Sequence, residues 1–196
     1  MRINYTETEL DALRELANIG SGTAATALSG MLGIPIDVTV PTAEAMPLAD
    51  AIDATGPAET CVTGVALELS GQFTGTALML FPDDDVATLC GLLGLEPDSE
   101  YAASALGEVV NIVCASYLGA LGDMTGLGFD IGPPQQVVDM LGAIVGSILA
   151  LNAAASDTAL MLDSALIIEG QSCSLSFLLI PAADGVDELL TQLGLG

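Results

Sequence analysis

The sequence predicts an α+β fold in which an antiparallel sheet packs against two long helices related by an internal pseudo-twofold axis. Three observations lead to this prediction: a helical pattern that recurs in the second half of the chain, apolar–polar alternation typical of strands, and Gly-containing turns short enough to join strands as hairpins. With 196 residues, 52% of them hydrophobic, the chain can bury a substantial core.

The chain contains an internal repeat. Two pairs of similar segments define this repeat. The members of the first pair are 93 residues apart and those of the second pair are 99 residues apart, which implies about six extra residues in the second half, between Pro134 and Ser164. We therefore predict a single domain over residues 1–196, with repeat halves of about 1–98 and 99–196. The paired segments are 11–19 with 104–112, and 70–82 with 169–181.

Each half is predicted to contain helices and strands in the same order. The first helix has apolar residues at spacings of three to five, a capping box formed by Thr6 and Glu9, and an end marked by Gly33. We expect the helices to lie on one side of the sheet. The predicted elements of the first half are 6–31 (helix), 36–40, 60–69 and 73–81 (strands) and 83–93 (helix). Those of the second half are 101–124 (helix), 129–131 (strand), 135–152 (helix), 159–168 and 173–180 (strands) and 185–193 (helix).

The charges are almost all of one sign. There are 26 Asp and Glu residues against two arginines and no lysine, giving a net charge of −24. This excludes nucleic acid and anionic membrane surfaces as partners, since both require basic patches. An adaptation to a salt-rich cytoplasm explains the acidity, because salt screens the repulsion between surface carboxylates. The alternative is an acidic surface that recruits a cationic partner. The first explanation predicts a fold that depends on salt.

Several classes of site are excluded by composition. Histidine is absent, which removes Ser-His-Asp and Cys-His nucleophiles and zinc sites that mix Cys with His. The four cysteines contain no C-x-x-C pair and are expected to be reduced thiols in a cytoplasm. The N-terminus lacks the apolar core of an export signal. The uncharged stretch from Met140 to Ser156 is short for a membrane span, so a buried helix and a cytoplasmic protein without membrane insertion are predicted.

Three polar residues recur in the first helix of each half at the spacing i, i+4, i+7. This spacing keeps them within about a 60° arc, so they share one helix face. In an acidic protein an exposed Glu is ordinary, but Asn is a poor interior helix residue and both halves keep it in the same register. The small residues Gly20, Ser21 and Gly22 would let another protein approach the first set closely. The two sets are Asp11, Glu15 and Asn18, and Ser104, Glu108 and Asn111.

A Glu/Asn pair supports a narrow range of chemistry. A carboxamide can hold a water in line with a phosphoryl group, and a carboxylate can bind a cation, pair with a lysine or act as a base. The chain lacks lysine, histidine and a phosphate-binding loop, and the position equivalent to Arg14 is Gly107. A phosphatase built this way must act on a substrate that supplies its own Mg²⁺ and lysine. Asp83, Asp84 and Asp85 could bind Mg²⁺, but acidic residues are favoured at a helix start by the helix dipole alone.

The pattern [Asp/Ser]-x3-Glu-x2-Asn-x22-Pro, completed by Pro41 and Pro134, resembles that of the CheC/CheX/FliY family of CheY-phosphate phosphatases. The pattern occurs twice, and the resemblance covers nearly the whole chain. By this resemblance the chain is a strongly acidic, haloarchaeal-type version of a CheC protein. The resemblance implies the CheC-like internally duplicated fold with two sites. It also implies that Asn18 and Asn111 position the attacking water, and that Glu15 and Glu108 pair with a lysine of the regulator.

The remaining residues have supporting roles by this resemblance. Asp11 and Ser104 help to orient the complex, and the two prolines are structural. The resemblance implies phosphorylated CheY as the substrate, Mg²⁺ held by CheY and no cofactor of the chain's own. Because Asn111 lacks the Gly-Ser-Gly that follows the first asparagine, we expect the second site to be less accessible.

The resemblance also implies a second partner, the receptor deamidase CheD, facing the helix 135–152 near Asp139 and Met140. That helix could instead be core, since most of its side chains are apolar. A non-catalytic adaptor that binds phospho-CheY and/or CheD is the alternative function, and a structural component of a motor switch is a third.

Overall fold

The computed structural model describes residues 6–39, 42–47, 50–97, 99–152, 158–182 and 185–195. These residues form a single antiparallel sheet with helices packed against it. The helices are α1 (Glu7–Leu32), α2 (Ala51–Thr55), α3 (Asp83–Leu92), α4 (Glu100–Thr125), α5 (Leu141–Asn152) and α6 (Gly185–Gln192). The strands are β1 (Ile36–Val38), β2 (Thr42–Pro47), β3 (Cys61–Gly71), β4 (Gly75–Pro82), β5 (Phe129–Ile131), β6 (Gln135–Met140), β7 (Thr158–Ile168) and β8 (Gln171–Pro181).

The sheet joins the two halves of the chain through exchanged strands. Its order is β1-β7-β8-β4-β3-β5, with β2 also paired to β7 and β6 also paired to β3. Each half therefore places its first two strands on the hairpin of the other half, and β4 and β8 meet at the centre. The α+β prediction with an antiparallel sheet is confirmed.

The two long helices correspond closely. α1 and α4 each contain 26 residues and pack against one another on the same face of the sheet. The predicted capping box is present at the start of α1, where the Glu9 amide donates to the Thr6 hydroxyl and the Glu9 carboxylate accepts from the Thr6 amide. Both helices end at a left-handed glycine, Gly33 (φ 70°) and Gly126 (φ 76°), as the helix-end pattern predicts.

Two hydrophobic cores lie on opposite faces of the sheet. The larger contains residues of α1, α3, α4 and α6, and the smaller contains residues of α2 and α5. The expectation that all helices lie on one side is therefore wrong. The physical reason is visible in β4, where Ala77 and Met79 enter one core while Leu78 and Leu80 enter the other. A strand that is apolar on both faces must be covered on both.

One predicted helix is partly wrong, and two elements were not predicted. Residues 135–140 form strand β6 along β3, and the helix begins only at Leu141. The β-branched pair Val137 and Val138 favours a strand there, and two prolines precede it. Strand β2 and the short helix α2 lie in a segment with no clear periodicity. Helix α5 contains 12 residues, whereas α2, in the corresponding part of the first half, contains five. The second half is therefore longer in the region where the repeat offset predicts extra residues.

The helix α4 is long and apolar enough to cross a membrane by length and composition alone. In this protein 61% of its most apolar 18-residue stretch is buried against the rest of the chain, as in the core helix of a globular domain.

The contact between α1 and α4 is unusually close at Gly20. A Cβ atom placed on Gly20 would lie 2.9 Å from the Tyr117 Cα and 2.5 Å from its ring. The Tyr117 hydroxyl lies 2.9 Å from the Ser21 hydroxyl and 3.1 Å from that of Ser164 on β7, so three elements are joined by buried hydrogen bonds. The expectation that these small residues face a partner is wrong for Gly20 and Ser21, which are buried, while Gly22 is exposed.

Candidate functional site

The first Glu/Asn set lies on the outer face of α1. Asp11, Glu15 and Asn18 are all exposed, while the opposite face of the helix buries Leu13 and Leu16 in the larger core. The three polar side chains are therefore presented outward from a helix whose position is fixed by packing on its other side.

An ion pair modifies the first set. The Arg14 guanidinium lies 2.7 Å from the Asp11 carboxylate and 4.0 Å from that of Glu7. The Asp11 carboxylate is thus partly neutralised within its own helix, whereas Glu15 and Asn18 are presented beside it on the same face. Pro41, the last residue of the first pattern, lies outside the described residues.

The second set lines a groove. Ser104 and Glu108 are exposed and Asn111 is half-buried, so the second asparagine is less accessible than the first. The groove has a volume of about 490 Å³, and its opposite wall is formed by the segment that links β5 to β6. The residues of that wall are Ile131, Gly132, Pro133, Pro134 and Gln136.

Pro134 contributes directly to the shape of this groove. A Cβ atom on Gly107 would lie 3.5 Å from the Pro134 Cγ, an ordinary van der Waals contact, so the proline ring rests against the bare backbone of α4. A long side chain at Gly107, such as the Arg14 found at the equivalent position of α1, would enter this contact. The glycine therefore allows Pro134 to approach α4 and to form one wall beside Asn111.

Asp139 and Met140 lie apart from both Glu/Asn sets. They end strand β6 rather than begin a helix, and Met140 is 51% exposed. The Met140 amide donates to the Asp139 carboxylate at 2.7 Å.

Cys61 on β3 lies opposite Met140 on β6. A hydrogen bond with Asp83 raises the pKa of the Cys61 thiol, and the charges of Asp83 and Asp139 add to the shift.

The two sets consist of exposed or half-buried polar side chains on helix surfaces. Within the described part of the chain, no group of three or more Cys, Asp or Glu side chains is placed to hold a metal ion. Both sets present a carboxylate and a carboxamide from a rigid helix surface. Such a surface can insert its two functional groups into a cleft of a second protein and can position a water there.

The sequence did not indicate the groove wall. The Gly-Pro-Pro run before β6 marks a turn that begins seven residues beyond the end of α4. Its position beside that helix follows only from the pairing of β5 and β6 with β3.

Comparison with known proteins shows which families these features resemble. The model of the CheC-like family matches residues 9–44 and 102–138, segments that contain both Glu/Asn sets. The CheY-P phosphatase CheC of Bacillus subtilis is 29% identical over 96% of this chain and 95% of its own length. The flagellar motor switch phosphatase FliY of the same organism is 28% identical over 67% of this chain and 36% of its own length.

The fold is shared with a solved structure. The crystal structure of Thermotoga maritima FliY superimposes with a TM-score of 0.75, covering 98% of each chain at 22% identity. The chain therefore resembles the CheC-like family in the two matched segments and a CheY-P phosphatase along nearly its whole length, and it shares the fold of the solved FliY structure.

Proposed function

We propose that this protein is a phosphatase that hydrolyses the aspartyl phosphate of the chemotaxis response regulator CheY and so regulates chemotactic signalling and adaptation in the cytoplasm. One observation carries the proposal: the Glu/Asn pair occurs twice, each time on the outward face of a 26-residue helix held by the core. The similarity to a CheY-P phosphatase over nearly the whole chain supports it.

The reaction requires little from this chain beyond positioning. Asn18 or Asn111 holds a water through one donor and one acceptor, in line with the phosphorus atom. The water oxygen attacks phosphorus and the bond to the aspartate oxygen breaks. The products are a free carboxylate and inorganic phosphate, which retains the proton that the water loses. Fixing a water in this geometry converts a bimolecular encounter into an effectively unimolecular step.

The positive charge that stabilises the transferring phosphoryl group comes from the substrate. The chain has no lysine, and in the structure the side chain of Arg14 is already paired with Asp11. The regulator supplies Mg²⁺ and a lysine, which balance the charge on the phosphoryl oxygens. In this arrangement Glu15 or Glu108 pairs with the regulator's lysine and holds the two proteins in register, while Asp11 and Ser104 help to orient them.

A second partner is proposed at a different surface. Asp139 and Met140, on the exposed strand β6, are the residues we propose to contact the deamidase CheD. A non-catalytic adaptor that binds phospho-CheY, CheD or both is the alternative function, and it predicts binding without turnover.

The test is the lifetime of phosphorylated CheY in concentrated KCl, with wild type, Asn18→Ala, Asn111→Ala and the double variant. Wild type should shorten the lifetime, each single variant should retain part of the effect, and the double variant should have none. Gly91→Ala, exposed on α3 with nothing within 4 Å of its added Cβ atom, serves as the control and should behave as wild type. A lifetime that wild type leaves unchanged, with or without CheD, would support the adaptor instead.

A further inference from the structure

The surroundings of the two Glu/Asn sets differ in chemistry. One turn before Ser104, the side chain of Tyr101 is 77% exposed. At the equivalent position, 93 residues earlier, the first half has Thr8, which is also exposed. The repeat thus places a large aromatic residue beside the second set where a small polar residue lies beside the first.

The same contrast holds within the helices themselves. Arg14, with its two acidic neighbours, makes the first set a cluster of charges. At the corresponding place in α4, Gly107 is covered by the ring of Pro134. Among the residues that the structure describes, the second set therefore has neither the cation nor the ion pair of the first.

The apolar residues border the second set on both sides. Tyr101, Ser104 and Glu108 follow the spacing i, i+3, i+7 and share a helix face, with Tyr101 on the side of Glu108 away from the groove. On the other side stand Pro133 and Pro134, which line the groove. A partner that reaches Glu108 and Asn111 must pass between these two apolar borders.

We propose that the two sites recognise the phosphorylated regulator by different contacts, with Tyr101 as a specificity-determining residue of the second site. This inference rests on the proposed function. The second site binds apolar residues that border the phosphorylated aspartate of the regulator, and Tyr101 packs on them. The first site, bordered by Thr8 and Arg14, binds the same regulator through polar and ionic contacts.

Physical reasons favour the regulator as the occupant of this apolar border. The border is continuous with the face that carries Glu108 and Asn111, so a protein seated on that face covers it. Tyrosine supplies a large contact area at low entropic penalty and is enriched among residues that dominate interface affinity.

The test compares single-site proteins. Asn18→Ala leaves only the second site active and Asn111→Ala leaves only the first. Tyr101→Thr, which installs the first-half residue, is placed in each background, and kcat and KM are measured with phosphorylated CheY at fixed KCl. In the Asn18→Ala background we expect KM to rise about tenfold with kcat unchanged, the size of effect that loss of an aromatic interface residue produces. In the Asn111→Ala background neither constant should change.

Leu151→Thr is the matched control. Leu151 is 81% exposed on α5, so the control removes a similarly exposed apolar side chain far along the chain from both sets. It should leave KM unchanged in both backgrounds. An unchanged KM for Tyr101→Thr with an active second site, or an equal rise in both backgrounds, would overturn the inference while leaving the proposed function intact. Failure of every protein, wild type included, to shorten the lifetime of phosphorylated CheY would overturn both.

Discussion

The substitution Gly20→Ala should destabilise the protein strongly, because it acts at the closest contact between the two long helices. The new methyl group would lie 2.9 Å from the Tyr117 Cα, 2.5 Å from one ring carbon and 3.1 Å from another. Rotation of the tyrosine side chain could relieve the ring contacts, but the contact with the backbone atom remains. The helices α1 and α4 must therefore move apart.

The magnitude follows from three contributions. Overpacking of a rigid contact costs about 3 kcal/mol, at the upper end of its usual range. Displacement of Tyr117 weakens its hydrogen bonds to Ser21 and Ser164, each contributing about 1 kcal/mol. Replacing glycine by alanine inside a helix returns about 1 kcal/mol through helix propensity. The free energy of unfolding should therefore fall by about 3 to 4 kcal/mol.

The assay is urea denaturation followed by circular dichroism at a fixed KCl concentration, with Gly22→Ala as the control. Gly22 is exposed on the same helix, two residues away, and its added Cβ meets nothing within 4 Å. The control should be more stable than wild type by up to about 1 kcal/mol. If Gly20→Ala were as stable as wild type, the close packing of α1 on α4 would be refuted.

Four further predictions follow from the same structure. Tyr117→Phe removes the buried hydroxyl that joins two serines and should lower the free energy of unfolding by about 1 to 2 kcal/mol in the same assay. Thr6→Ala removes the helix cap and should lower it by about 1 kcal/mol. The Cys61 thiol is exposed, and because its pKa is raised by Asp83, Asp83→Asn should increase its alkylation rate at pH 8, where the thiolate fraction limits the reaction. Burial raises the pKa of Cys114 to about 12, so that thiol should be alkylated only in the unfolded protein; mass spectrometry of native samples checks both thiols.

The sequence was sufficient to predict the elements that have strong local signals. Helix α1 has apolar spacing, a capping box and a terminal glycine, and the structure confirms all three within one residue at each end. The repeat predicted that α4 would match it, and the two helices have the same length. Hairpins β3–β4 and β7–β8 were predicted from pairs of strands joined by short Gly-containing turns.

The errors arise where tertiary pairing decides the structure. Residues 135–140 mix polar with apolar side chains in a pattern that suits either a helix or a strand, and only the free edge of β3 selects the strand. Nothing local indicates that the first strands of each half would pair with the hairpin of the other. That exchange also brings Pro134 onto Gly107, so the groove beside Asn111 could not be predicted from either segment alone.

The candidate site residues were predicted as two sets on helix faces, and the structure places Glu15, Asn18 and Glu108 on outward surfaces with Asn111 half-buried. Their catalytic roles stay predictions. The difference between the surroundings of the two Glu/Asn sets could be recognised only from the structure. A tyrosine near the start of a helix can be either buried or exposed, and the sequence does not indicate which applies to Tyr101.

The most direct test of the account separates binding from turnover at both sites. Affinity for CheY loaded with beryllofluoride, a stable mimic of the phosphoryl group, and kcat with phosphorylated CheY are measured for two double variants. Asn18→Ala/Asn111→Ala should bind within about threefold of wild type but lose turnover, because the asparagines act on the water. Glu15→Gln/Glu108→Gln should lose affinity, because the carboxylates hold the regulator's lysine. An asparagine double variant that still hydrolyses phosphorylated CheY at the wild-type rate would contradict the central claim.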